Sequence, residues 1–261
     1  MIYTIFSKTD PGRARENNED SVAFDASAYL GVLADGMGGY KAGEVASGMA
    51  TAFIKSEMAR WLSEAGKQAS TREIRRALEI CVDNANRSVF NAASSNAQYS
   101  GMGTTLVVAV FHSEKLLLGH IGDSRCYRLR KGEMTQITKD HSLLQEQIDA
   151  GLLTPEQAAT ASHKNLVTRA LGVEDAVLLE LNEHDVEPGD LYLLCSDGLS
   201  DMANDSEIAA ILDTQTPMAQ KADSLISIAN EHGGRDNISV LLIQAGTADK
   251  RRGLISRLLG K

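Results

Sequence analysis

Five aspartates of this 261-residue sequence lie beside glycine, serine or asparagine where an apolar run begins or ends: Asp20, Asp35, Asp123, Asp197 and Asp236. The runs read YLGVLADG, LLLGHIGDS, LYLLCSDG and DNISVLLI. Carboxylates at the ends of strands can converge along one edge of a sheet. Like charges held close together raise each other's pKa and oppose ionisation unless cations neutralise them. The pattern therefore predicts a metal site assembled from strand ends.

The residue types around these aspartates select the metal and the reaction. Oxygen donors without a cysteine or histidine cluster favour a hard cation, Mg²⁺ or Mn²⁺, over zinc or copper. Two such ions about 4 Å apart, sharing one carboxylate, lower the pKa of a bridging water and stabilise charge on a phosphoryl oxygen. Hydrolysis of a phosphate ester is the reaction that this chemistry predicts.

A basic residue near the acidic cluster indicates an anionic substrate. Arg15 lies five residues before Asp20, and a guanidinium binds phosphate through two hydrogen bonds. The alternative is that Arg15 only pairs with an acidic neighbour, and Arg13 is a rival for the phosphate role.

The segment DGMGGYKAGEVAS places glycines between a strand that ends at Asp35 and a helix. Glycine lets backbone carbonyls approach a cation that side chains would otherwise block, so the carbonyl of Gly36 is a candidate ligand. The alternative is an ordinary glycine-rich turn into a helix.

The elements that must position these residues alternate between helix pairs and runs of strands. Helices are predicted near residues 42–64 and 72–96, the second with a capping box from Ser70 to Glu73. The segments TTLVVAVF, KLLLGHIG, RCYRLRKG and MTQIT follow as strands. Their turns are too short for a crossover helix, so we expect successive strands to pair antiparallel.

Residues 141–172 interrupt the strands with helical segments, including Thr154-Pro155-Glu156-Gln157, a second capping box. The strands VLLELNEHDV and DLYLLCSD, helices near 205–213 and 217–232, and the strand NISVLLIQA complete the pattern. Gly233 and Gly234 stop the last helix. The order predicts an α+β fold, a layered sandwich of two stacked sheets flanked by helices.

Composition limits the alternatives. The sequence is 43% hydrophobic and 23% charged, as in globular proteins, and we expect one domain over residues 1–246 and a short basic tail over 247–261. No apolar stretch approaches the roughly 20 residues that span a bilayer, so we expect a cytoplasmic protein. A net charge of −9 disfavours nucleic acid as a partner.

Seven motifs carry a resemblance in order and spacing: RENNEDS, DGMGGYKAGEVAS, GMGTTL, GDSRCY, DHSL, CSDGLSD and GGRDNISV. Together they resemble the metal-dependent serine/threonine protein phosphatases of the PPM or PP2C family, in its bacterial form. The resemblance implies a four-layer α-β-β-α sandwich of two antiparallel sheets, with a two-metal centre at one edge. It also implies phosphoprotein substrates, a cognate Ser/Thr protein kinase as partner, and a monomer.

The resemblance assigns roles to individual residues. Asp35 bridges two ions, the Gly36 carbonyl joins one of them, and Asp197 with Asp236 binds the other. Glu19 and Asp20 hold waters of the second metal, and Asp123 with Asp197 matches a third, weaker ion of bacterial members. For Asp123 the alternative is a hairpin-turn aspartate. Asn237 orients a metal-bound water or the phosphate.

The implied mechanism is direct attack of a metal-bridging hydroxide on phosphorus, with Arg15 stabilising the phosphoryl oxygens. Eukaryotic relatives commonly carry a histidine after the Asp-Gly pair as proton donor, whereas this sequence has Met37, which cannot donate a proton. Residues 141–172 correspond to the family's flap, where His141, Ser162 and His163 are candidate donors. A solvated or hydrogen-bonded role is the alternative for each.

Three other classes of protein share single features with this sequence. Cys81 through Arg87 fits a Cys-x5-Arg phosphatase signature, but the stretch lies in a helical run without a glycine cradle. A catalytically silent phosphoprotein-binding module should lack metal ligands, and every ligand position is filled here. A two-metal nuclease should carry a basic groove, which the net charge disfavours.

Overall fold

The computed structural model describes residues 1–38, 42–154, 157 and 166–247. Its strands are β1 Ile2–Asp10, β2 Asp20–Asp25, β3 Leu30–Met37, β4 Gly103–Thr104, β5 Leu106–His112, β6 Lys115–Ile121, β7 Arg125–Arg130, β8 Glu133–Gln136, β9 Glu180–Asp185, β10 Leu191–Cys195 and β11 Ile238–Gly246. The α-helices are α1 Gly43–Ala65, α2 Thr71–Ser95, α3 Leu143–Asp149, α4 Asp197–Ser200, α5 Asp205–Leu212 and α6 Met218–Glu231. The long predicted helices are confirmed to within a residue or two.

The strands form two antiparallel sheets. The first sheet has the order β1-β11-β10-β7-β8, and the second has the order β2-β3-β5-β6-β9, with β4 pairing β3. The expectation that successive strands pair is right for β5 with β6 and for β7 with β8. It is wrong for β6 and β7, which belong to different sheets, because the turn over residues 122–124 carries the chain from one sheet to the other.

Three apolar cores separate four layers. One core joins α1 and α2 to the second sheet, and another joins α5 and α6 to the first sheet. The third lies between the sheets. Strand β5 shows how alternation builds two of them: Val108 faces the helices, whereas Val107 and Phe111 face the other sheet. The predicted α-β-β-α sandwich is confirmed.

Capping chemistry fixes helix ends where the sequence predicts it. Ser70 N donates to Glu73 Oε2 at 2.8 Å, and Glu73 N donates back to Ser70 Oγ at 3.3 Å. The same reciprocal pair links Thr154 and Gln157, at 2.9 and 3.3 Å. Both predicted capping boxes are therefore present.

The segment 141–172 is attached to the sandwich at its two ends. His141 N donates to the Gly122 carbonyl at one end, and an isolated β-bridge joins Leu171 to Thr104 at the other. A second isolated bridge, between Ser142 and Val167, joins the two ends of the segment to each other. The candidate proton donors Ser162 and His163 lie outside the described residues, as does the basic tail from residue 248 onward. Within the described ranges, none of the helices combines the length and the apolar character needed to cross a membrane.

Candidate metal centre

The five aspartates of the sequence pattern come from both sheets. Asp20 begins β2 and lies opposite Asp35 of β3 in the strand register. Asp197 begins α4 directly after β10. Asp123 lies in the turn that joins β6 to β7, and Asp236 lies two residues before β11. The five aspartates therefore lie at or near strand ends of both sheets.

Mutual repulsion shows that these carboxyl groups are close. Burial, with the charges of Asp20, Asp123 and Asp236, raises the pKa of Asp35 well above its usual value. Burial and the charges of Asp35 and Asp123 do the same to the pKa of Asp197. The protein thus holds several carboxylates in a place where water alone does not favour their ionisation.

Asp20 and Asp123 share this perturbation. Burial raises the pKa of Asp20 to about 7, although a hydrogen bond from Ser196 opposes the shift. Burial, followed by the charges of Asp140 and Asp201, raises the pKa of Asp123 to about 6. Asp123 is 9% exposed, which is unusual for the hairpin-turn aspartate that was the alternative.

Two carboxylate oxygens lack partners. Among the described residues, Asp20 Oδ1 and Asp197 Oδ1 are buried and accept no hydrogen bond. An unpaired buried carboxylate oxygen costs several kcal/mol, as an order of magnitude. A cation removes this cost, and an all-oxygen donor set fits Mg²⁺ or Mn²⁺. The residues present therefore fit the predicted ions.

Hydroxyl groups that the sequence interpretation missed hold the Asp20 carboxylate and the backbone of Asp35. Ser196 Oγ donates to Asp20 Oδ2 at 2.7 Å and accepts from Ser239 N at 3.0 Å. Asp35 N donates to Thr105 Oγ1 at 2.9 Å, and Thr104 Oγ donates to the Asp35 carbonyl at 2.8 Å. The motifs GMGTTL and CSDGLSD contain these residues, so their position in the motifs was the available signal.

Gly36 lies where β3 meets the start of α1. A Cβ atom on Gly36 would lie 2.1 Å from the Gly43 carbonyl oxygen and 2.6 Å from the Glu19 carbonyl oxygen. The Gly36 amide donates to that same Glu19 oxygen at 3.1 Å. Burial raises the pKa of the Glu19 side chain. The close packing explains the requirement for glycine at this position and brings Glu19 to the site.

Arg15 reaches the site, and Arg13 does not bond to its carboxylates. Arg15 Nη2 donates to Asp236 Oδ2 at 2.7 Å, and 54% of its side chain is exposed. Arg13 Nε donates to the carbonyl of Asn230, at the end of α6. Arg15 pairs with an acidic neighbour, as the alternative required, but its exposed guanidinium still has donors for an anion.

The polar atoms of the Asn237 side chain are hydrogen-bonded to the backbone. Its Oδ1 accepts from Glu19 N at 2.7 Å, and its Nδ2 donates to the carbonyls of Pro11 and Asn17 at 3.0 and 2.9 Å. The side chain is 4% exposed. Its polar atoms therefore hold the backbone of residues 11–19, which carries Arg15 and Glu19, and orienting a water or the phosphate stays a prediction.

Cys81 has the properties of a core thiol. It is 6% exposed, and burial raises its pKa to about 12. Arg87, the other end of the Cys-x5-Arg signature, pairs with Asp83 at 3.1 Å on the same helix. A nucleophilic cysteine needs a lowered pKa, so this signature carries no chemistry here.

Comparison with known proteins agrees with the geometry. The family model for protein phosphatase 2C matches residues 12–241. The chain is 38% identical over 253 residues to the serine/threonine phosphatase stp of Listeria innocua, covering 94% of this chain and 97% of that protein.

Two solved structures of a serine/threonine phosphatase named PstP are also similar. The first, from Mycobacterium tuberculosis, superposes with a TM-score of 0.86 at 38% identity, covering 95% of this chain and 100% of the other. The second is a PstP catalytic domain in complex with two manganese ions, with a TM-score of 0.81 at 38% identity, covering 94% and 99%. The fold, the acidic centre and the match over most of the chain lead to one conclusion: this chain belongs to the protein phosphatase 2C family.

Proposed function

We propose that this serine/threonine phosphatase hydrolyses phosphoserine and phosphothreonine in proteins by direct attack of water at the acidic centre. One observation carries the proposal: burial and the charges of neighbouring carboxylates raise the pKa of Asp35, and two carboxylate oxygens of this centre, Asp20 Oδ1 and Asp197 Oδ1, are buried without partners. Such an arrangement is stable in the ionised form only with cations bound.

The residues that would hold two divalent ions are those whose carboxyl groups surround Asp35, together with a backbone carbonyl: Glu19, Asp20, Asp35, Gly36, Asp197 and Asp236. When bound, the ions supply Lewis acidity, which lowers the pKa of a water and stabilises charge on the phosphoryl oxygens. The PstP catalytic domain in complex with two manganese ions supports Mn²⁺ as one natural choice. The oxygen donors suit Mg²⁺ equally.

The chain's own residues bind and orient the substrate. The exposed guanidinium of Arg15 binds the phosphoryl oxygens, and its bond to Asp236 at 2.7 Å holds it in place. The Ser196 hydroxyl keeps the Asp20 carboxylate in a fixed orientation, and the Thr105 hydroxyl holds the backbone amide of Asp35. Orientation of this kind lowers the barrier because the groups need not reorganise during the reaction.

A third, weaker ion would use Asp123 with Asp197. The supporting observation is that burial and neighbouring carboxylates raise the pKa of Asp123 to about 6. Because Met37 cannot donate a proton, the leaving oxygen must take its proton from water or from another residue.

The proposal also covers the kinase partner, the cellular location and the oligomeric state. Phosphoprotein substrates imply a Ser/Thr protein kinase that produces them, and we propose that this phosphatase reverses its action in the cytoplasm as a monomer. The net charge of −9 supports a protein substrate over nucleic acid.

The direct test is dephosphorylation of a phosphothreonine peptide by the purified protein with Mn²⁺, with Mg²⁺ and with EDTA. We expect turnover with the metals and none with EDTA. The Cys81→Ala variant serves as control and should turn over the peptide like the wild type. Turnover that persists in EDTA would contradict the metal-dependent mechanism, and no turnover with any metal would favour a phosphoprotein-binding module.

A further inference from the structure

Three side chains near the base of the 141–172 segment have candidate metal-ligand atoms within 4.8 Å of one another: His120, His141 and Glu180. The imidazole rings of the two histidines stack, with centroids 4.5 Å apart and planes 17° from parallel. A metal lies close to the ring plane of each histidine that binds it, so nearly parallel stacked rings are poorly directed at one shared ion.

The hydrogen bonds of His141 also argue against a metal. Gly122 N donates to His141 Nδ1 at 3.1 Å, so this nitrogen carries no proton. The neutral ring then carries its proton on Nε2, which lies 3.2 Å from Glu180 Oε2 and donates to it. Both ring nitrogens of His141 are thus already engaged in hydrogen bonds within the protein. The cluster therefore has another role, and the bond to Gly122 indicates it.

His141 is bonded to Gly122 through both backbone and side chain. Besides the bond to its ring, Gly122 accepts a hydrogen bond from His141 N at its carbonyl, at 2.9 Å. His141 is 7% exposed. These two bonds fix the residue that directly precedes Asp123.

The opposite side of the same turn is packed against Thr105. Gly122 has φ +100°, and a Cβ atom there would lie 2.7 Å from Thr105 Cγ2. The Thr105 and Ser124 hydroxyl groups are 2.7 Å apart and share a hydrogen bond. Asp123 is thus held between two fixed neighbours, and one of these contacts continues to Asp35 through Thr105.

His141 also contacts the C-terminal end of the 141–172 segment. Thr168 N donates to the His141 carbonyl at 2.8 Å. Arg169 Nη1 approaches His141 Nε2 to 3.3 Å, but this is no hydrogen bond in the assigned tautomer because both nitrogens carry protons. Arg169 lines a cavity that also borders Met37, the residue after Gly36. A shift of residues 168–169 would therefore reach the Asp123 turn through a single residue, His141.

We propose that His141 is a positioning residue of the phosphatase reaction, which sets the Gly122–Asp123 turn according to the position of Thr168 and Arg169. The inference rests on the proposed function, since Asp123 matters only if the acidic centre binds ions. Glu180 supports His141 by accepting a hydrogen bond from Nε2–H. This bond keeps the proton on Nε2 and leaves Nδ1 free to accept from Gly122 N.

Two substitutions of His141 distinguish the contribution of Nδ1 from that of Nε2. In His141→Asn the amide oxygen takes a place near that of Nδ1 and can accept from Gly122 N, whereas contact with Glu180 and Arg169 is lost. In His141→Gln the amide reaches the place of Nε2 but leaves Gly122 N without its acceptor. A second pair, Glu180→Gln and Glu183→Gln, compares a partner of His141 with an exposed glutamate of the same strand that pairs with Lys115.

Hydrogen exchange of the Gly122 amide, measured without added metal, reports directly on the hydrogen bond from Gly122 N to His141 Nδ1. We expect exchange about tenfold faster in His141→Gln than in the wild type, and near the wild-type rate in His141→Asn. With Mn²⁺, kcat on a phosphothreonine peptide should fall about tenfold in His141→Gln and about twofold in His141→Asn. KM should stay within about twofold in both, because neither nitrogen binds the phosphate. Glu183→Gln should match the wild type, and Glu180→Gln should lie between the two His141 variants.

Equal exchange and equal kcat in His141→Asn and His141→Gln would overturn the proposal, as would a wild-type kcat in both. A lower melting temperature with unchanged kcat would mean that His141 only stabilises the fold. If the wild type itself lacks turnover, the proposed function fails, whereas the exchange of the Gly122 amide still decides whether His141 holds the turn.

Discussion

Burial, together with the charges of Asp20, Asp123 and Asp236, raises the pKa of the Asp35 carboxyl group well above its usual value. The only basic group bonded to this set among the described residues is Arg15, which pairs with Asp236. One guanidinium cannot neutralise so many carboxylates. At the scale of residues, the centre is therefore incomplete without cations, and Arg15 remains available for an anion that approaches from solvent.

The role of Arg15 can be separated from general charge effects. Arg15→Ala should raise KM for a phosphothreonine peptide about tenfold and lower kcat less, because a charge-assisted hydrogen bond to the phosphate is lost. Steady-state kinetics with Mn²⁺ measures both constants. Arg13→Ala is the matched control, since Arg13 bonds to the Asn230 carbonyl, and it should leave KM near the wild-type value. Equal changes in both variants would contradict the assignment.

The sequence allowed candidate site residues to be named, but not the hydrogen bonds that their side chains make. The aspartates followed from their place at strand ends, and Gly36 followed from the glycine-rich turn. The use of Asn237 did not, because its bonds reach back more than 200 positions to the Glu19 amide and to the carbonyls of Pro11 and Asn17. Contacts of such sequence separation leave no local periodicity from which they can be predicted.

At the scale of elements, the junction of β3 with α1 leaves no room for a side chain at Gly36. Strand β2 approaches the same point, since the Glu19 carbonyl accepts from the Gly36 amide. The strand end, the preceding loop and the helix start are thus packed as one unit. A change at this junction must displace the carboxylates on either side of it.

Two glycines allow a matched test of this junction. Gly36→Ala should destabilise the protein by about 1–3 kcal/mol through overpacking against Gly43 and Glu19, and should abolish metal-dependent turnover. Gly48→Ala, within α1 and with open space around its Cβ position, should instead stabilise by about 0.5–1 kcal/mol. Urea unfolding measures both free energies. A Gly36→Ala variant as stable and active as wild type would contradict the packing account.

Strand pairing was the point at which sequence patterns failed. The turn over residues 122–124 is short enough for a hairpin, yet β6 and β7 lie in different sheets. Gly122 at φ +100° and the bonds of His141 to Gly122 fix this turn where the two sheets meet.

The strand β2, DSVAFD, has intermediate burial along most of its length, so it lacks the clear alternation that identifies a strand.

At the scale of the whole molecule, the centre draws carboxylates from both sheets, so its charge state affects the stability of the sandwich. In the folded protein the pKa of Asp20 is about 7 and that of Asp123 about 6, against about 4 when unfolded. A carboxyl group with a raised folded-state pKa gives stability that is fully present below pH 4 or so. This stability is lost as the pH rises through 6 to 7.

The metal-free protein should therefore lose stability as pH rises from 5 to 8, and saturating Mn²⁺ should remove most of that loss. Burial lowers the pKa of His141 and of His184. These two groups therefore add stability as the pH rises through about 6.5, both with and without Mn²⁺. The difference between melting temperatures with Mn²⁺ and with EDTA isolates the carboxylates, and it should widen with pH. A difference that stays constant or narrows would contradict the coupling of the centre to the fold.

The measurement that tests the central claim most directly is a titration of Mn²⁺ into wild type and Asp35→Asn, with bound ions and phosphopeptide turnover determined on the same samples. The account predicts two tightly bound ions and turnover in the wild type. Asp35→Asn should lose tight binding and about a thousandfold in kcat. Asp83→Asn, which removes an exposed carboxylate of α2 that pairs with Arg87, should behave like the wild type. Undiminished ion binding and turnover in Asp35→Asn would contradict the account.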